Sequence, residues 1–172
     1  MGDQRMTQPF RLSHLDSDQV RQAYALVRIG APETTLEQWQ AYAESLGGSG
    51  GGVLGVFAGD NTIHGVATYL PETSLRHGRI LRIDNFVTFE LSHAAPARQA
   101  LCEGLNLLAK GLGCDAVTLT LSGRSYSEAT CPKCDGWIAL GLEPDGMTFA
   151  RKVGEAQSPQ KPRQRQRAHA TA

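Results

Sequence analysis

A chain of 172 residues with 41% hydrophobic content is long enough for one compact domain with a real core and short for two. Its 17 lysines and arginines balance 17 aspartates and glutamates, which argues against a whole-protein electrostatic footprint for nucleic acid or an anionic membrane. No stretch approaches the ~20 apolar residues of a membrane span, and the start "MGDQRMTQPFRL" lacks a secretory h-region, so a cytoplasmic protein is expected.

In chain order, a short strand is predicted around Phe10 to Leu12. "DSDQVRQAYALVRIG" then spaces Val20, Tyr24 and Val27 as one helix face, with Ser17 or Asp18 available as a cap. A second helix is predicted from Thr34 or Thr35 through "LEQWQAYAESL", and "GGSGGG" at 47–52 reads as a connector. "VLGVFAGDNTIHGVATYL" predicts a hairpin about Gly59 to Thr62, and "PETSLRHG" a loop. "RILRIDNFVTF" predicts a longer strand with Leu81, Ile83, Val87 and Phe89 on one alternating face. Leu101, Leu105, Leu108 and Leu112 mark a helix that ends at Gly111 and Gly113. "AVTLTL" follows as a strand, then irregular residues 122–136, a short helical "GWIALG" and a last strand in "GMTFARKV". Such an order suits an α/β sandwich on a mixed sheet.

The segment after residue 153 is polar and basic: Lys161, Arg163, Arg165 and Arg167 stand against one acid, Glu155, leaving 13 basic and 16 acidic residues in the body. Residues 154–172 are expected as a disordered tail behind a domain spanning residues 1–153. Cys102, Cys114, Cys131 and Cys134 are expected as reduced thiols, since the chain carries no secretory signal. "CPKC" at 131–134 has the spacing of half a zinc site, yet no second pair completes it, and no metal is expected. Trp39, Tyr42 and Tyr24 at helical spacing are expected in the core.

Three stretches, in order and at matching separations, carry a resemblance: "RIDNFVT", the gapless run from Thr88 to Leu101, and "LLAKGLGCDAVTLTL" followed by "GWIALGLEPDG". Over roughly residues 10–153 the chain resembles the GNAT N-acetyltransferase superfamily. The resemblance implies a mixed sheet whose fourth and fifth strands splay apart to admit acetyl-CoA, with backbone groups of Phe86, Val87 and Thr88 along the pantetheine. It also implies that the diphosphate rests at the entrance of the following helix, near His93, Ala95, Ala97, Arg98 and Gln99, where free N–H groups and the helix dipole favour an anion. The family's loop is commonly Arg/Gln-x-x-Gly-x-Gly/Ala, and here its two glycine positions hold Pro96 and Arg98. Proline has no N–H to give, whereas Arg98 or His93 could meet phosphate by side chain.

For the chemistry, the resemblance implies a backbone donor near Val87 or Thr88 for the oxyanion, with Glu90 or Asp84 as base. The family's acidic tyrosine position holds Trp137, which leaves Tyr126 as the nearby substitute. The expected activity is acetyl transfer from acetyl-CoA to an amino group of a small molecule or protein. The alternative is a GNAT-like domain that has lost catalysis and serves as a binding or regulatory module. No membrane or nucleic-acid partner is expected, and the acceptor, the acyl chain length and the oligomeric state, a homodimer included, stay open.

Overall fold

The computed structural model describes residues 10–90, 95–120, 136–143 and 145. Both early helices begin with a reciprocal capping box. Strand β1 (Arg11–His14) leads to Asp16, whose carboxylate accepts the Gln19 N–H at 2.9 Å while the Gln19 side chain accepts the Asp16 N–H at 3.1 Å, opening helix α1 (Ser17–Gly30). The cap is therefore Asp16 rather than Ser17 or Asp18, because only Asp16 has a glutamine three residues on to close the box. Thr35 and Gln38 repeat the arrangement at the start of α2 (Leu36–Gly48), at 2.9 and 3.2 Å. Thr35→Ala is expected to cost about 1 kcal/mol of stability, read as a lower urea midpoint at unchanged slope.

Strands β2 (Gly52–Phe57) and β3 (Ile63–Ser74) form the expected hairpin, with Asn61 at φ 63° in its turn. β3 continues through Pro71 to Ser74, where the sequence predicts a loop, and pairs there with β4 (Gly78–Thr88). The proline is tolerated because β2 reaches only as far as Tyr69, so beyond that point β3 is an edge on the β2 side. Helix α3 (Pro96–Gly111) and strand β5 (Ala116–Leu119) complete the described elements, together with a helical turn over residues 136–138. The sheet runs β1-β2-β3-β4-β5, antiparallel throughout except for the parallel β4–β5 pair.

Two buried clusters cover the two sheet faces. Leu54, Val56, Ala67, Tyr69, Leu81 and Ile83 meet Ala97, Leu101, Leu105 and Ala109 of α3 on one face. Val53 and Val66 meet Val20, Ala23, Val27 and Trp39 of α1 and α2 on the other. Leu12, Leu54 and α3 also approach so closely at Gly104 that a Cβ there would lie 2.3 Å from Leu12 Cδ2.

The face predicted for β4 is corrected by a bulge. Ala67 stands opposite Phe86 and Tyr69 opposite Ile83, so three steps on β4 answer two on β3, and the extra residue falls at 84–85. The Asn85 backbone N–H and side-chain amide both reach Thr68 Oγ1, at 3.1 and 3.3 Å. Beyond it Phe86 joins the α3 cluster with Leu81 and Ile83, Val87 turns to the α1/α2 cluster, and Phe89 is exposed. A strand's side chains alternate, so one inserted residue moves everything after it to the opposite face.

At the far end of α3 the chain docks back onto β4: Asp115 N–H donates to Arg79 O at 2.6 Å and Asp115 Oδ2 accepts the Arg79 N–H at 3.0 Å. Gly78, at φ 71°, makes room for that carboxylate, since a Cβ there would lie 2.5 Å from Asp115 Oδ2. This clasp sets β5 parallel to β4. A second compact unit spans Glu143–Ala172, and the final strand expected in "GMTFARKV" and the basic tail lie outside the described residues. Among the described residues no helix is long and apolar enough to cross a membrane.

Candidate active site

The β4–β5 ladder runs from Ile80 opposite Ala116 to Ile83 opposite Leu119, and Thr120 N–H closes it on Ile83 O at 2.9 Å. β4 continues for five more residues, 84–88, with no described strand beside them on that side. Phe89 N–H donates inward to His64 O at 2.7 Å. Backbone groups of an antiparallel strand alternate in direction, so Val87 also points to β3, while the N–H and C=O of Phe86 and Thr88 point away from it, into the opening. Of the three β4 residues expected along a pantetheine, Phe86 and Thr88 thus offer backbone groups there.

The entrance of α3 adjoins this edge. Ala95 is its N-cap, left-handed at φ 47° and ψ 52°, without a side-chain cap, and Pro96 follows as the first helical residue. Proline brings no N–H, and Gln99 N–H already donates to Ala95 O at 3.1 Å. Arg98 N–H donates to Glu90 Oε1 at 2.7 Å. Glu90 therefore supplies, from eight residues upstream, the negative cap that Ala95 cannot, and it sits where the helix dipole favours an anion. Among the described residues, Ala97 N–H is the one first-turn donor left without a partner. The Ala97 side chain is buried against the sheet, and the Gln99 side chain turns along the helix to Glu103 at 3.0 Å.

Asp84, at the bulge, is bound from two sides. Tyr42 of α2 donates its hydroxyl to Asp84 Oδ2 at 3.1 Å, and Arg82 Nη1 lies 3.3 Å from the same oxygen, with Arg82 Nε 3.2 Å from Glu72. Burial first, and then the Asp84 charge, push the Tyr42 phenol above its ordinary range, so it stays a donor at neutral pH. Asp84 and Glu90 are thus separate: one carboxylate is tied to α2, the other to α3.

Neither a protein-family model nor a curated protein sequence matches the chain. Solved structures do. An aminoglycoside N-acetyltransferase in complex with CoA superposes with a TM-score of 0.71 at 12% identity, covering 87% of this chain and 98% of its own. Glucosamine-6-phosphate N-acetyltransferase from Arabidopsis thaliana gives 0.63 at 14%, covering 85% and 99%, and an acetyltransferase of Trypanosoma brucei gives 0.64 at 17%, covering 84% and 100%. The chain has the GNAT fold. Identities this low establish architecture and leave the chemistry to be argued from the chain's own residues.

Within the GNAT fold, Trp137 packs against Phe86 at the end of β4 whose outer edge no described strand covers. Its ring stands edge-on to Phe86, centroids 4.9 Å apart at 84°, and the Arg98 guanidinium lies over its face, 5.2 Å from the centroid. Sequence reasoning weighed Trp137 as a missing tyrosine and Arg98 as a phosphate ligand, and missed that they touch. It also left unassigned the contacts on Asp84: that of Tyr42, which requires the fold to bring residues 42 positions apart together, and that of Arg82, two residues away on the same strand. Cys102, on α3, has its thiol pushed up to about 11, first by burial, which makes it an unreactive packing group. His93, Tyr126, Cys131 and Cys134 lie outside the described residues.

Proposed function

We propose that the chain is an acyl-CoA-dependent N-acyltransferase that moves an acetyl group from acetyl-CoA directly to an amino group of a small molecule or protein. The observation that carries this reading is the edge of β4 beyond Ile83: among the described residues no strand lies beside it there, and Phe86 and Thr88 turn backbone groups outward next to the α3 entrance. An extended pantetheine arm can add to such an edge as a strand would.

In the reaction the neutral amine attacks the thioester carbonyl carbon, the carbonyl oxygen gains negative charge, and the carbon–sulfur bond breaks to release the thiolate. Thr88 N–H is the assigned oxyanion donor, because it points into the opening and Val87 N–H does not. Asp84 is the assigned base, taking the amine proton directly or through water, with Tyr42 and Arg82 fixing its orientation. Glu90, tied to the Arg98 N–H, is the lesser candidate. The thiolate takes its proton from water or from Tyr126. Arg98 and the Ala97 N–H hold the diphosphate, with His93 and the backbone of Ala95 and Gln99 around it.

A second reading has a specific observation behind it. Pro96 removes one first-turn N–H and Glu90 takes another, which is what a GNAT-fold module that has given up its cofactor would retain. Calorimetry with acetyl-CoA separates the two. Micromolar binding, about −8 kcal/mol, weakened roughly tenfold or more by Arg98→Ala, supports the transferase. Absence of binding in the native chain, restored when positions 96 and 98 are made glycine, supports the lapsed module.

A further inference from the structure

A cavity of about 280 Å³ lies where β1 gives way to α1 and β2 begins. Neighbouring strands run antiparallel from β1 to β4, so the last residues of β1 and the last residues of β4 fall at opposite ends of the sheet. The cavity is therefore remote from the candidate active site. Gly47, Gly51 and Gly52 line it without side chains, and a Cβ on Gly52 would lie 2.9 Å from the Tyr69 hydroxyl. Tyr69, which pairs with Gly52, uses that room to reach His14, Oη to Nδ1 at 3.0 Å, with the ring centroids 5.6 Å apart. Leu15, Val20, Ala43 and Val53 supply an apolar wall, and Leu15 N–H on Val53 O at 2.9 Å fixes the turn from β1 into α1.

The charge in this lining is of one sign. Asp16 and Glu44 bring carboxylates, and the lining holds no lysine or arginine. Its one basic group, the His14 ring, is already engaged at Nδ1 by Tyr69. Among the described residues, the side chains of Ser17, Gln40 and Glu44 have no hydrogen-bond or ion-pair partner, although all three line the cavity. Helix α2 ends against it with no basic residue in the last turn, so the negative end of that helix dipole is unanswered as well. The N-terminus of α1, which would favour an anion, already holds the Asp16 carboxylate.

We propose that this cavity is a binding site for a small organic ammonium, an amine carried on a short apolar or aromatic body. Glu44 and the last turn of α2 hold the positive charge. The Gln40 amide oxygen, Ser17 Oγ and Tyr69 Oη are the further acceptors for its N–H groups, and Leu15, Val20 and Val53 receive the body. The volume is at the small end for ligand pockets, which limits the body to about the size of one ring. The site does not rest on the transferase reading, and no bond is made or broken in it.

Titration of the isotope-labelled chain with benzylamine, benzyl alcohol and benzoate tests the site by nuclear magnetic resonance, since the three share a ring and differ in charge. The Gly51 and Gly52 amide signals report on the cavity, and the Thr88 amide on the β4 edge. Benzylamine is expected to move the Gly51 and Gly52 signals to saturation, with an affinity about fivefold or more above that of benzyl alcohol, and benzoate to leave them in place. Glu44 is exposed, so Glu44→Gln and Glu44→Lys are expected to keep the rest of the spectrum. Glu44→Gln is expected to weaken benzylamine about three- to fivefold, and Glu44→Lys more than that. Equal affinity for benzyl alcohol, a larger response to benzoate, or no saturable shift overturns the site. So does a benzylamine affinity that Glu44→Lys leaves unchanged, or a shift confined to Thr88, which would put the amine at the β4 edge. Calorimetry with acetyl-CoA on the same proteins judges the transferase reading separately.

Discussion

Trp39→Ala is expected to cost about 3–5 kcal/mol of stability, enough to lower the urea midpoint by more than any surface change in the chain. Trp39 is 1% exposed and sits where α1, α2 and the sheet meet, among Val20, Ala23, Val27, Val53 and Val66. Its indole N–H donates to Val20 O at 2.6 Å, so the ring pins α2 to the first turn of α1 as well as filling the space between them. Truncation leaves a cavity the width of the ring, and surrounding valines are too stiff to close it. Trp39→Phe keeps most of the volume and loses the hydrogen bond, for an expected cost near 1 kcal/mol. A loss from Trp39→Ala no larger than that from Trp39→Phe would mean that α2 is not anchored here.

Asp84→Asn is expected to lower turnover by about 10²–10⁴-fold while leaving the affinity for acetyl-CoA nearly unchanged. The amide preserves the shape at the bulge and can still accept from Tyr42, but it cannot take a proton from the incoming amine. Tyr42→Phe is expected to reduce turnover by much less, since it removes an orienting contact and leaves the carboxylate. A full-rate Asp84→Asn protein would transfer the role to Glu90, and Glu90→Gln would then be the variant that loses activity. A structural role for Asp84 alone predicts a lowered urea midpoint with turnover per folded molecule unchanged, which the two measurements made together distinguish.

The sequence made the elements legible and left their coupling obscure. Helical spacing in Val20, Tyr24 and Val27, the threonine cap at 35 and the Gly59 to Thr62 turn are local signals, and the corresponding elements are present. Pro71 misled because a proline speaks only of its own N–H, whereas the end of β2 that makes a proline acceptable is set some 20 residues away. The bulge at 84–85 carries no glycine to announce it, and "LRIDNFVTF" alternates plausibly in a single phase. Hydrogen bonding of Asn85 to Thr68 across the sheet is what decides otherwise. For the site, the substitutions at 96 and 98 were visible as departures from a glycine pattern, but nothing local could say that Glu90 would take the Arg98 amide. That contact needs the strand end and the helix start folded onto each other, which no spacing rule states.

The bulge also makes the end of β4 a counting device. Because it inserts a single residue into a ladder of period two, Asp84 and Phe86 lie on opposite sides of the sheet despite being two apart. One presents a charge toward α2 and the other a ring toward α3. Deleting Asn85 would remove the bulge and make Asp84 and Phe86 neighbours in a regular ladder, which keeps them on opposite faces, whereas losing one residue from the regular part of the strand beyond it would turn every later side chain and the Thr88 N–H the other way. A loss of two residues elsewhere in the strand would merely shorten it. Away from the bulge, the end of β4 should therefore be far less tolerant of odd changes in length than of even ones, an arithmetic constraint that no substitution at a single position would reveal.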